Sequence, residues 1–531
     1  MERVLLGDEA LAQAAIDAGL SCAYGYPGTP STEIMEYLIA HSAADGFKAM
    51  WCTNEKTAYE EALGASLAGK RALVTMKHVG LNVAADAFVN SALLSIHGGL
   101  VMCVADDPGM HSSQNEQDTR ALAMFAKVPV FEPVTQQQTY EMTREAFEVS
   151  ERFGVPVIIR MVTRIAHSRA SVRTAESRPQ NPLDKSTDRP GWMLLPATAK
   201  RNWVRLLGKE KDMIAFAEGS ANNRLNPVSG SRLGIITGGL GYNYFKENEA
   251  DLKEKPSHLH IGFYPLPAAL IRKLYDSVDE ILVLEEGYPI IEEKLSGILG
   301  TAKPVHGKLD GTVVRTGELT PDNVREALGL PKRPHAAIDV SDVTVPRPPA
   351  LCKGCPHADS YAAIKAALKD FPQSLVTSDI GCYSLGALPP HSAIETIVCM
   401  GASVGMAKGA SEAGLYPVVA TIGDSTFLHG GMTALLDCVQ NNPDMTLVIL
   451  DNSTVGMTGG QPTMIPSSRF EPLIRGLGVD PAHIRTIVPL PQQHEKNTEI
   501  IKEEINYHGL SVIFSVRECI ETAKRKARKT K

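Results

Sequence analysis

The sequence predicts an α/β protein with three doubly wound domains and mostly parallel sheets. Short apolar runs typical of buried strands alternate with segments of helical periodicity, which is the pattern of βαβ units. The chain has 531 residues, more than a single hydrophobic core serves. The predicted division is a first domain over 1–170, a linker over 171–198, a second domain over 199–340, a linker over 341–350 and a third domain over 351–531.

Each predicted domain contains apolar runs of its own, and these are the evidence for it. The runs that indicate buried strands are 72–76, 100–104 and 155–160 in the first domain, 233–237, 259–263 and 280–285 in the second, and 510–514 in the third. The first linker is rich in Arg, Ser, Asn, Asp and Pro, and the second contains the Pro-rich stretch 345–349. Such compositions interrupt regular structure and favour domain boundaries.

Composition excludes several classes of function. A hydrophobic content of 44% and a charged content of 21% are those of a soluble globular protein. The net charge of −7 argues against nucleic acid as the main partner. No signal peptide or membrane-spanning run is expected from the sequence. Nine cysteines, an odd number, indicate a reducing compartment. We therefore expect a cytoplasmic protein.

The most informative motif lies in the predicted third domain. Gly423-Asp424-Ser425 follows one predicted strand, and Asn452-Ser453-Thr454 follows the next. Parallel α/β sheets bind ligands at the carboxyl ends of their strands. A carboxylate and an amide oxygen there can share one Mg²⁺, which prefers octahedral oxygen ligation and often also holds phosphate oxygens. The alternative is two buried strands with ordinary turn residues.

This pattern resembles the diphosphate-anchoring motif of thiamine diphosphate enzymes. The resemblance implies that the Asp424 carboxylate, the Asn452 amide and the main-chain carbonyl of Thr454 bind Mg²⁺. Four further residues are expected to contact the cofactor: Gly401, Gly423, Ser425 and Met457.

The first domain carries motifs of a narrower family. Segments 26–32 (Tyr-Pro-Gly-Thr-Pro-Ser-Thr) and 106–108 (Asp-Asp-Pro), and the spacing from Glu55 to Gly64, resemble the 2-oxoacid:ferredoxin oxidoreductases. Segments 76–86 and 110–118 are similar to the large (alpha) subunits of indolepyruvate ferredoxin oxidoreductase. The resemblance runs over nearly the whole chain in the same domain order. It implies a pyrimidine-binding domain, a transketolase-C-terminal-like domain and a diphosphate-binding domain.

The same resemblance assigns two catalytic residues. Glu55 would be the acid that faces the aminopyrimidine ring of the cofactor, where a dry site can tune its pKa. Thr29 would face the substrate carbonyl or the cofactor. Without the resemblance, a Glu before a helical segment is usually a solvated cap.

Four cysteines form a second candidate site. Cys352 and Cys355 make a C-x-x-C pair, which Cys382 and Cys519 follow at a distance. Four thiolates can hold a 4Fe–4S cluster, and the spacing resembles the cluster nearest the thiamine in the same oxidoreductases. Zinc, a redox thiol pair and ordinary core packing are the alternatives. Core packing is expected for the remaining five: Cys22, Cys52, Cys103, Cys399 and Cys438.

The resemblance implies a catalytic subunit that oxidatively decarboxylates an aryl- or branched-chain 2-oxo acid, such as indolepyruvate or phenylpyruvate. The products would be an acyl-CoA and reduced ferredoxin, with thiamine diphosphate, Mg²⁺, one 4Fe–4S cluster and coenzyme A taking part. A small (beta) subunit and a dimer of heterodimers are expected, with no nucleic-acid or membrane partner.

The chain departs from the family pattern in two places. It reaches Lys531 without the ferredoxin-like domain that typical large subunits carry. We therefore expect electrons to leave through ferredoxin or a separate iron–sulfur subunit, unless net oxidation is not the physiological reaction. The Arg that fixes the pyruvate carboxylate in pyruvate-specific relatives has no clear counterpart, and Asp106 and Asp107 occupy that neighbourhood. Pyruvate is therefore a disfavoured substrate.

Two other functions remain open at this point. A non-redox thiamine diphosphate-dependent decarboxylase or lyase would use the same Asp424 and Glu55 but would need no cluster. A binding or regulatory subunit that merely retains the fold is disfavoured, because such a chain has no physical need for Asp424, Asn452 and Glu55 together.

Overall fold

Two structural units make up the chain, Met1–Ala337 and Ile338–Lys531. The computed structural model describes residues 1–334, 343–345 and 349–529. The predicted linker over 341–350 and the end of the predicted second domain lie largely outside these described residues. The division into three domains therefore stays a prediction.

Strands and helices alternate along the first unit. Its strands are β1 (Glu2–Leu6), β2 (Cys22–Gly25), β3 (Lys48–Trp51), β4 (Ala72–Lys77), β5 (Leu100–Asp106), β6 (Val130–Phe131), β7 (Val157–Val162), β8 (Arg169–Arg173), β9 (Asn223–Asn226), β10 (Leu233–Gly238), β11 (Ser257–Ile261), β12 (Phe263–Tyr264), β13 (Glu280–Leu284) and β14 (Val305–His306). Its helices are α1 (Gly7–Asp17), α2 (Thr32–Asp45), α3 (Glu55–Leu67), α4 (His78–Ser91), α5 (Thr119–Ala126), α6 (Gln136–Phe153), α7 (Thr163–Ala166), α8 (Pro196–Gly219), α9 (Gly241–Asn248), α10 (Ala268–Ser277), α11 (Ile290–Ser296) and α12 (Pro321–Ala327).

Two mostly parallel sheets organise this unit. One has the strand order β12-β6-β7-β5-β4-β2-β3 and the other the order β14-β13-β10-β11-β9. Only one described strand pair in each sheet is antiparallel, β12 with β6 and β9 with β11. Strands β4 and β5 are buried along their whole length, as expected when helices cover both faces of a sheet. The mostly parallel α/β architecture predicted from the sequence is confirmed.

The predicted strand over 259–263 is broken in the structure. It ends at Ile261, and Phe263 and Tyr264 pair instead with β6 of the seven-stranded sheet. Gly262 lies at the break, where the Asn223 side chain accepts a hydrogen bond from its N–H at 3.0 Å. A Cβ at Gly262 would come within 2.9 Å of the Asn222 carbonyl oxygen. The prediction of one continuous strand was wrong, because local hydrophobicity does not reveal this close approach.

The polar segment predicted as the first linker runs over the surface of the first unit. Its beginning belongs to β8, which pairs with β1 in an antiparallel two-stranded sheet. Further on, the Asp184 N–H donates to the Ala68 carbonyl at 3.0 Å, and the Ser186 N–H donates to the Leu67 carbonyl at 2.9 Å. These bonds attach the segment to the end of α3.

A buried charge network joins the two sheets of the first unit. Arg120, 1% exposed, donates to Asp118 at 2.6 Å and to Glu285, which follows β13, at 2.9 Å. Arg160 donates to Asp106 at 2.6 Å. Burial alone would raise the pKa of Asp118, but the charges of both arginines hold it at about 2. The network compensates its charges internally, so its role is structural.

The second unit contains one fully parallel sheet. Its strands are β15 (Leu375–Thr377), β16 (Val418–Gly423), β17 (Met445–Asp451), β18 (Thr454–Val455), β19 (Gln461–Pro462), β20 (Ile484–Ile487) and β21 (Leu510–Val516). Its helices are α13 (Pro356–Leu368), α14 (Ala402–Glu412), α15 (Asp424–Thr426), α16 (Met432–Asn441), α17 (Phe470–Leu477), α18 (His494–Ile505) and α19 (Ile520–Lys529). The order of the main sheet is β15-β16-β17-β21-β20, and β18 and β19 form a separate hairpin.

Alternate residues of these strands enter two different hydrophobic clusters. Leu447 and Ile449 of β17 belong to one cluster, whereas Val448 and Leu450 belong to the other. Helices therefore cover both faces of the sheet, which is the doubly wound arrangement. None of the helices described is long and apolar enough to cross a lipid bilayer.

The buried network gives a stability prediction. Arg120→Met should lower the free energy of unfolding of the first unit by about 3–5 kcal/mol, because it leaves buried carboxylates without their countercharge. All three tryptophans, Trp51, Trp192 and Trp203, lie in this unit, so tryptophan fluorescence during urea unfolding reports on it.

Arg164→Met is the matched control for that experiment. Arg164 forms an ion pair with Glu318 at 2.7 Å, but its side chain is 47% exposed. Exposed pairs contribute about 1 kcal/mol or less. Equal losses in the two variants would contradict the structural role of the buried network.

Candidate functional site

The predicted metal-binding residues of the second unit lie at the ends of two adjacent parallel strands. Gly423 at the end of β16 is paired with Leu450 of β17. Asp424 follows β16 directly, and Asn452 follows β17 directly. Both side chains are buried. The sheet therefore places them at the edge where parallel α/β folds bind ligands.

Two carboxylates face each other at this edge. One oxygen of Asp424 and one of Asp451 are buried and have no hydrogen-bond partner among the described residues. Burial, followed by the negative charge of Asp451, raises the pKa of Asp424 well above its usual range. Two such groups require a shared proton or a cation. Because carboxylate oxygens are preferred Mg²⁺ ligands, the residues present fit a magnesium site.

A tight turn brings Asn452 and Thr454 to the same place. The Ser453 N–H donates to Asp451 Oδ1 at 3.0 Å, and Ser453 has a left-handed φ of 60°. The Ser453 amide also lies against the Asp424 carboxylate, where it acts to lower its pKa. Asn452 Oδ1 accepts a hydrogen bond from the Thr454 N–H at 3.2 Å. The turn thus assembles the three predicted metal ligands.

The predicted cofactor-contacting residues differ in their environments. Gly401 begins α14 with φ 90°, and a Cβ there would come within 2.8 Å of the Gly430 carbonyl carbon. A Cβ at Gly423 would come within 2.5 Å of the Tyr383 ring. The Ser425 N–H donates to Asp424 at 2.8 Å. Met457 is exposed, with 56% of its surface accessible.

Asp379 is a buried residue that the sequence analysis did not single out. It accepts hydrogen bonds from the N–H of Gly401 at 3.1 Å and from the hydroxyl of Ser403 at 2.7 Å. Burial raises the pKa of Asp379 to about 6. This carboxylate fixes the start of α14 and therefore the position of Gly401. The available sequence signal was an acidic residue two positions before Gly381-Cys382.

Three of the four predicted cluster cysteines influence one another in the second unit. Burial first, and then the thiols of Cys355 and Cys519 and the carboxylate of Asp424, raise the pKa of Cys382 to about 12. The pKa of Cys355 is raised by burial and, to a lesser extent, by Cys352 and Cys519. Cys352 is exposed and acts on Cys355.

Asn452 connects the cysteines to the carboxylate edge. Its carbonyl oxygen accepts a hydrogen bond from the Cys519 N–H at 3.0 Å. Its side-chain nitrogen lies 3.0 Å from His357 Nε2 and 3.7 Å from Cys382 Sγ. His357 Nε2 is in turn 3.3 Å from Cys382 Sγ, and burial lowers the pKa of His357 to about 4. The candidate metal and cysteine sites are therefore contiguous.

The spacing of the thiols is wider than a zinc site requires. Tetrahedral zinc with Zn–S bonds of about 2.3 Å holds its sulfur atoms about 3.8 Å apart. Among the described residues, no three of the cysteine sulfurs lie within 4.8 Å of one another. A multi-iron cluster separates its thiolates more widely than a single ion does, because each binds a different iron.

Glu55 and Thr29 belong to the first unit. Glu55 is the first residue of α3 and is buried. A Cβ at Gly80 would come within 2.6 Å of Glu55 Oε1, so the glycine makes room for this carboxylate. The Thr29 carbonyl oxygen lies 3.4 Å from the Ser112 hydroxyl.

Lys77 is a further side chain to which the sequence analysis assigned no role. Lys77, at the end of β4, donates to the Ser112 carbonyl at 2.6 Å and to its hydroxyl at 3.2 Å. Burial lowers the pKa of Lys77 to about 8. Neighbouring His78 is buried, with both ring nitrogens lacking a hydrogen-bond partner among the described residues. Both lie in the 76–86 motif, through which the chain resembles the indolepyruvate enzymes.

Asp106 and Asp107 both form hydrogen bonds or ion pairs with other residues of the first unit. Asp106 binds Arg160 and accepts a hydrogen bond from the Thr119 N–H at 3.1 Å. Asp107 accepts from the Ser112 N–H at 2.8 Å and from the Thr163 hydroxyl at 2.9 Å. These bonds hold the loop that follows β5.

Two family models match the chain. Residues 13–204 match "Pyruvate flavodoxin/ferredoxin oxidoreductase, thiamine diP-bdg", and residues 379–513 match "Thiamine pyrophosphate enzyme, C-terminal TPP binding domain". Indolepyruvate oxidoreductase subunit IorA of Methanothermobacter thermautotrophicus is 38% identical over 97% of this chain and 86% of that protein. The IorA subunit of Archaeoglobus fulgidus is 37% identical with the same coverage.

The chain belongs to the IorA family. The resemblance identified from the sequence is thereby confirmed, as is the thiamine diphosphate-binding fold. A solved 2-oxoglutarate:ferredoxin oxidoreductase from Magnetococcus marinus, with 2-oxoglutarate, coenzyme A and succinyl-CoA bound, has a TM-score of 0.51 to this IorA-like chain. That match is 16% identical, spans 62% of this chain and 65% of that one, and shows a shared fold.

The geometry of α14 gives a second prediction. Gly401→Ala should destabilise the second unit by about 1–3 kcal/mol, because Gly401 adopts a positive φ and its Cβ would clash with Gly430. Gly405→Ala, in the same helix, is the control. Its Cβ would meet nothing within 4 Å, so a gain of up to about 1 kcal/mol is expected.

Circular dichroism during urea unfolding measures both variants. If Gly405→Ala lost as much stability as Gly401→Ala, the close approach at the start of α14 would not be the cause.

Proposed function

We propose that the chain is the thiamine diphosphate-binding catalytic subunit of a 2-oxo acid:acceptor oxidoreductase. The observation that carries this proposal is the junction at Asn452. One side of this residue lies at the carboxylate edge formed by Asp424 and Asp451, and the other contacts Cys382 and Cys519. A decarboxylase without redox chemistry has no need for four cysteines beside its diphosphate anchor.

Each residue of the anchor has a proposed role. The Asp424 carboxylate, the Asn452 amide oxygen and the Thr454 carbonyl oxygen hold Mg²⁺, which neutralises the otherwise uncompensated carboxylates. The diphosphate and the rings of the cofactor contact four further residues: Gly401, Gly423, Ser425 and Met457. Glu55, whose carboxylate lies next to Gly80, is the proposed acid that faces the aminopyrimidine. When bound, thiamine diphosphate supplies the electron sink for loss of the substrate carboxylate.

The four cysteines are proposed to ligate one 4Fe–4S cluster. The thiols of Cys352, Cys355, Cys382 and Cys519 share one electrostatic environment. A cluster at this position would accept electrons from the cofactor one at a time and pass them outward.

The substrate class is proposed from the relatives. The similar subunits are named for indolepyruvate, so an aryl or branched-chain 2-oxo acid is the proposed substrate and Thr29 the residue that faces it. Coenzyme A takes the acyl group, and ferredoxin or a separate iron–sulfur subunit takes the electrons. Because the relatives are named as subunits, we propose a complex with a small (beta) subunit as a dimer of heterodimers.

The test uses the chain purified anaerobically with its small subunit. Indolepyruvate, coenzyme A, Mg²⁺ and thiamine diphosphate should reduce a ferredoxin or viologen acceptor and yield the acyl-CoA. Glu55→Gln should abolish turnover but retain calorimetric binding of thiamine diphosphate. Asp424→Asn should lose that Mg²⁺-dependent binding. Glu55→Gln thus tests the activation of the cofactor, and Asp424→Asn tests its binding.

The controls for this test are Glu60→Gln on α3 and Asp437→Asn on α16, both exposed, which should behave as wild type. Aldehyde release without reduction of the acceptor would instead identify a non-redox decarboxylase. Unchanged cofactor affinity in Asp424→Asn would refute the magnesium assignment.

The cluster makes a separate prediction. The wild-type complex should contain about four more iron and sulfide ions per chain than the Cys382→Ser complex. Cys399 is exposed, so the core packing predicted for it was wrong. Cys399→Ser, in the same unit, should keep the wild-type content. Metal analysis and electron paramagnetic resonance measure this difference. Loss of zinc in place of iron would contradict the cluster.

A further inference from the structure

Three metal-ligand side chains converge in the first unit, apart from every residue assigned above. Asp8, Glu33 and His167 each offer one ligand atom, and all three atoms lie within 4.8 Å of one another. Asp8 lies in the first turn of α1, Glu33 lies in the first turn of α2, and His167 directly follows α7. Residues far apart in sequence thus form one compact group.

Asp8 is the unusual member of this group. Its side chain is completely buried, at 0% exposure, and neither carboxylate oxygen has a hydrogen-bond partner among the described residues. The nearest carboxylate, Glu33, is an acceptor as well, and together with burial it raises the pKa of Asp8. A buried carboxylate without compensation is costly, so this position calls for a cation or a proton.

The backbone holds the three residues in this arrangement. Gly7, at the start of α1, donates its N–H to the Ser168 carbonyl at 3.2 Å. A Cβ at Gly7 would lie only 2.0 Å from the Ile165 carbonyl oxygen, so only glycine allows this contact. Asp8 is therefore fixed against the segment that carries His167.

The group lies between the core and the surface of the first unit. The side chains of Glu33 and His167 are 38% and 35% exposed, and His167 Nε2 lies 3.4 Å from Glu33 Oε2. Asp8 and the Oε2 atom of Glu33 are buried. Two of the three side chains are therefore partly accessible to solvent.

We propose that Asp8, Glu33 and His167 bind one divalent transition-metal ion. Two carboxylates balance a 2+ charge, and an imidazole ligand favours ions such as Mn²⁺ or Zn²⁺ over Mg²⁺ and Ca²⁺. Three protein ligands leave open coordination positions for water. The site is independent of the cysteines and of the Asp424 anchor, and it adds a second metal to the chain.

The proposal is tested by titrating the chain with Mn²⁺ and monitoring the binding by electron paramagnetic resonance. The chain is first treated with a chelator, and no thiamine diphosphate is added. Wild type should bind one Mn²⁺ that Glu33→Gln and His167→Gln bind about tenfold more weakly or not at all. Glu36→Gln, exposed on the same helix, should keep it. Asp424→Asn should also keep it, which separates this ion from the proposed magnesium site.

His167→Gln changes a partly exposed side chain and leaves buried Asp8 intact. Loss of Mn²⁺ binding in this variant is therefore not expected to result from unfolding. Tryptophan fluorescence checks that the Glu33, Glu36 and His167 variants are folded, and circular dichroism checks Asp424→Asn. Equal Mn²⁺ binding in wild type, Glu33→Gln and His167→Gln would overturn the proposal and leave a shared proton between Asp8 and Glu33. Loss of this Mn²⁺ in Asp424→Asn alone would overturn it as well.

Discussion

The parallel pairing of β16 with β17 is the constraint on which the candidate site depends. Because both strands end at the same edge, Asp424 and Asp451 are buried side by side, with an unpartnered oxygen on each. The neighbouring strand β21 pairs with β17 up to Asp451 and Val516, which brings Cys519 against the Asn452 carbonyl. One sheet register thus positions both the proposed magnesium ligands and the fourth cysteine of the proposed cluster. A one-residue shift would turn these side chains to the other face of the sheet.

The first unit neutralises its buried charges with side chains of opposite charge. Arg120 and Arg160 are as deeply buried as the carboxylates of the second unit, but each has carboxylate partners at hydrogen-bond distance. The Arg120–Glu285 pair connects the seven-stranded sheet side of the unit to the five-stranded sheet. The interaction therefore maintains the packing of the unit and leaves no charge for a ligand to compensate.

Sequence reasoning predicted the parallel fold and the contents of the Asp424–Asn452 motif, because strand ends and their following residues are local in sequence. It also predicted the four cysteines as one group, which stays a prediction. Asp379, Lys77 and Asp8 were missed, since their significance comes from neighbours supplied by distant elements. The break at Gly262 was missed for the same reason: the Asn222 carbonyl that excludes a side chain there lies forty residues earlier.

Comparison of these buried groups distinguishes structural from ligand-binding charges. A buried carboxylate that has an arginine at hydrogen-bond distance, such as Asp106, is already neutralised and stabilises the fold. Asp424 and Asp8 are also buried, but a second carboxylate lies beside each, Asp451 and Glu33 respectively. Near Asp8 one imidazole, that of His167, faces two carboxylates, and Glu33 raises its pKa. A fold that keeps more acids than bases together is stable only if a proton or a cation supplies the remaining positive charge. This excess of carboxylates among the residues described around Asp424 and Asp8 is the physical feature on which both proposed ligand sites rest.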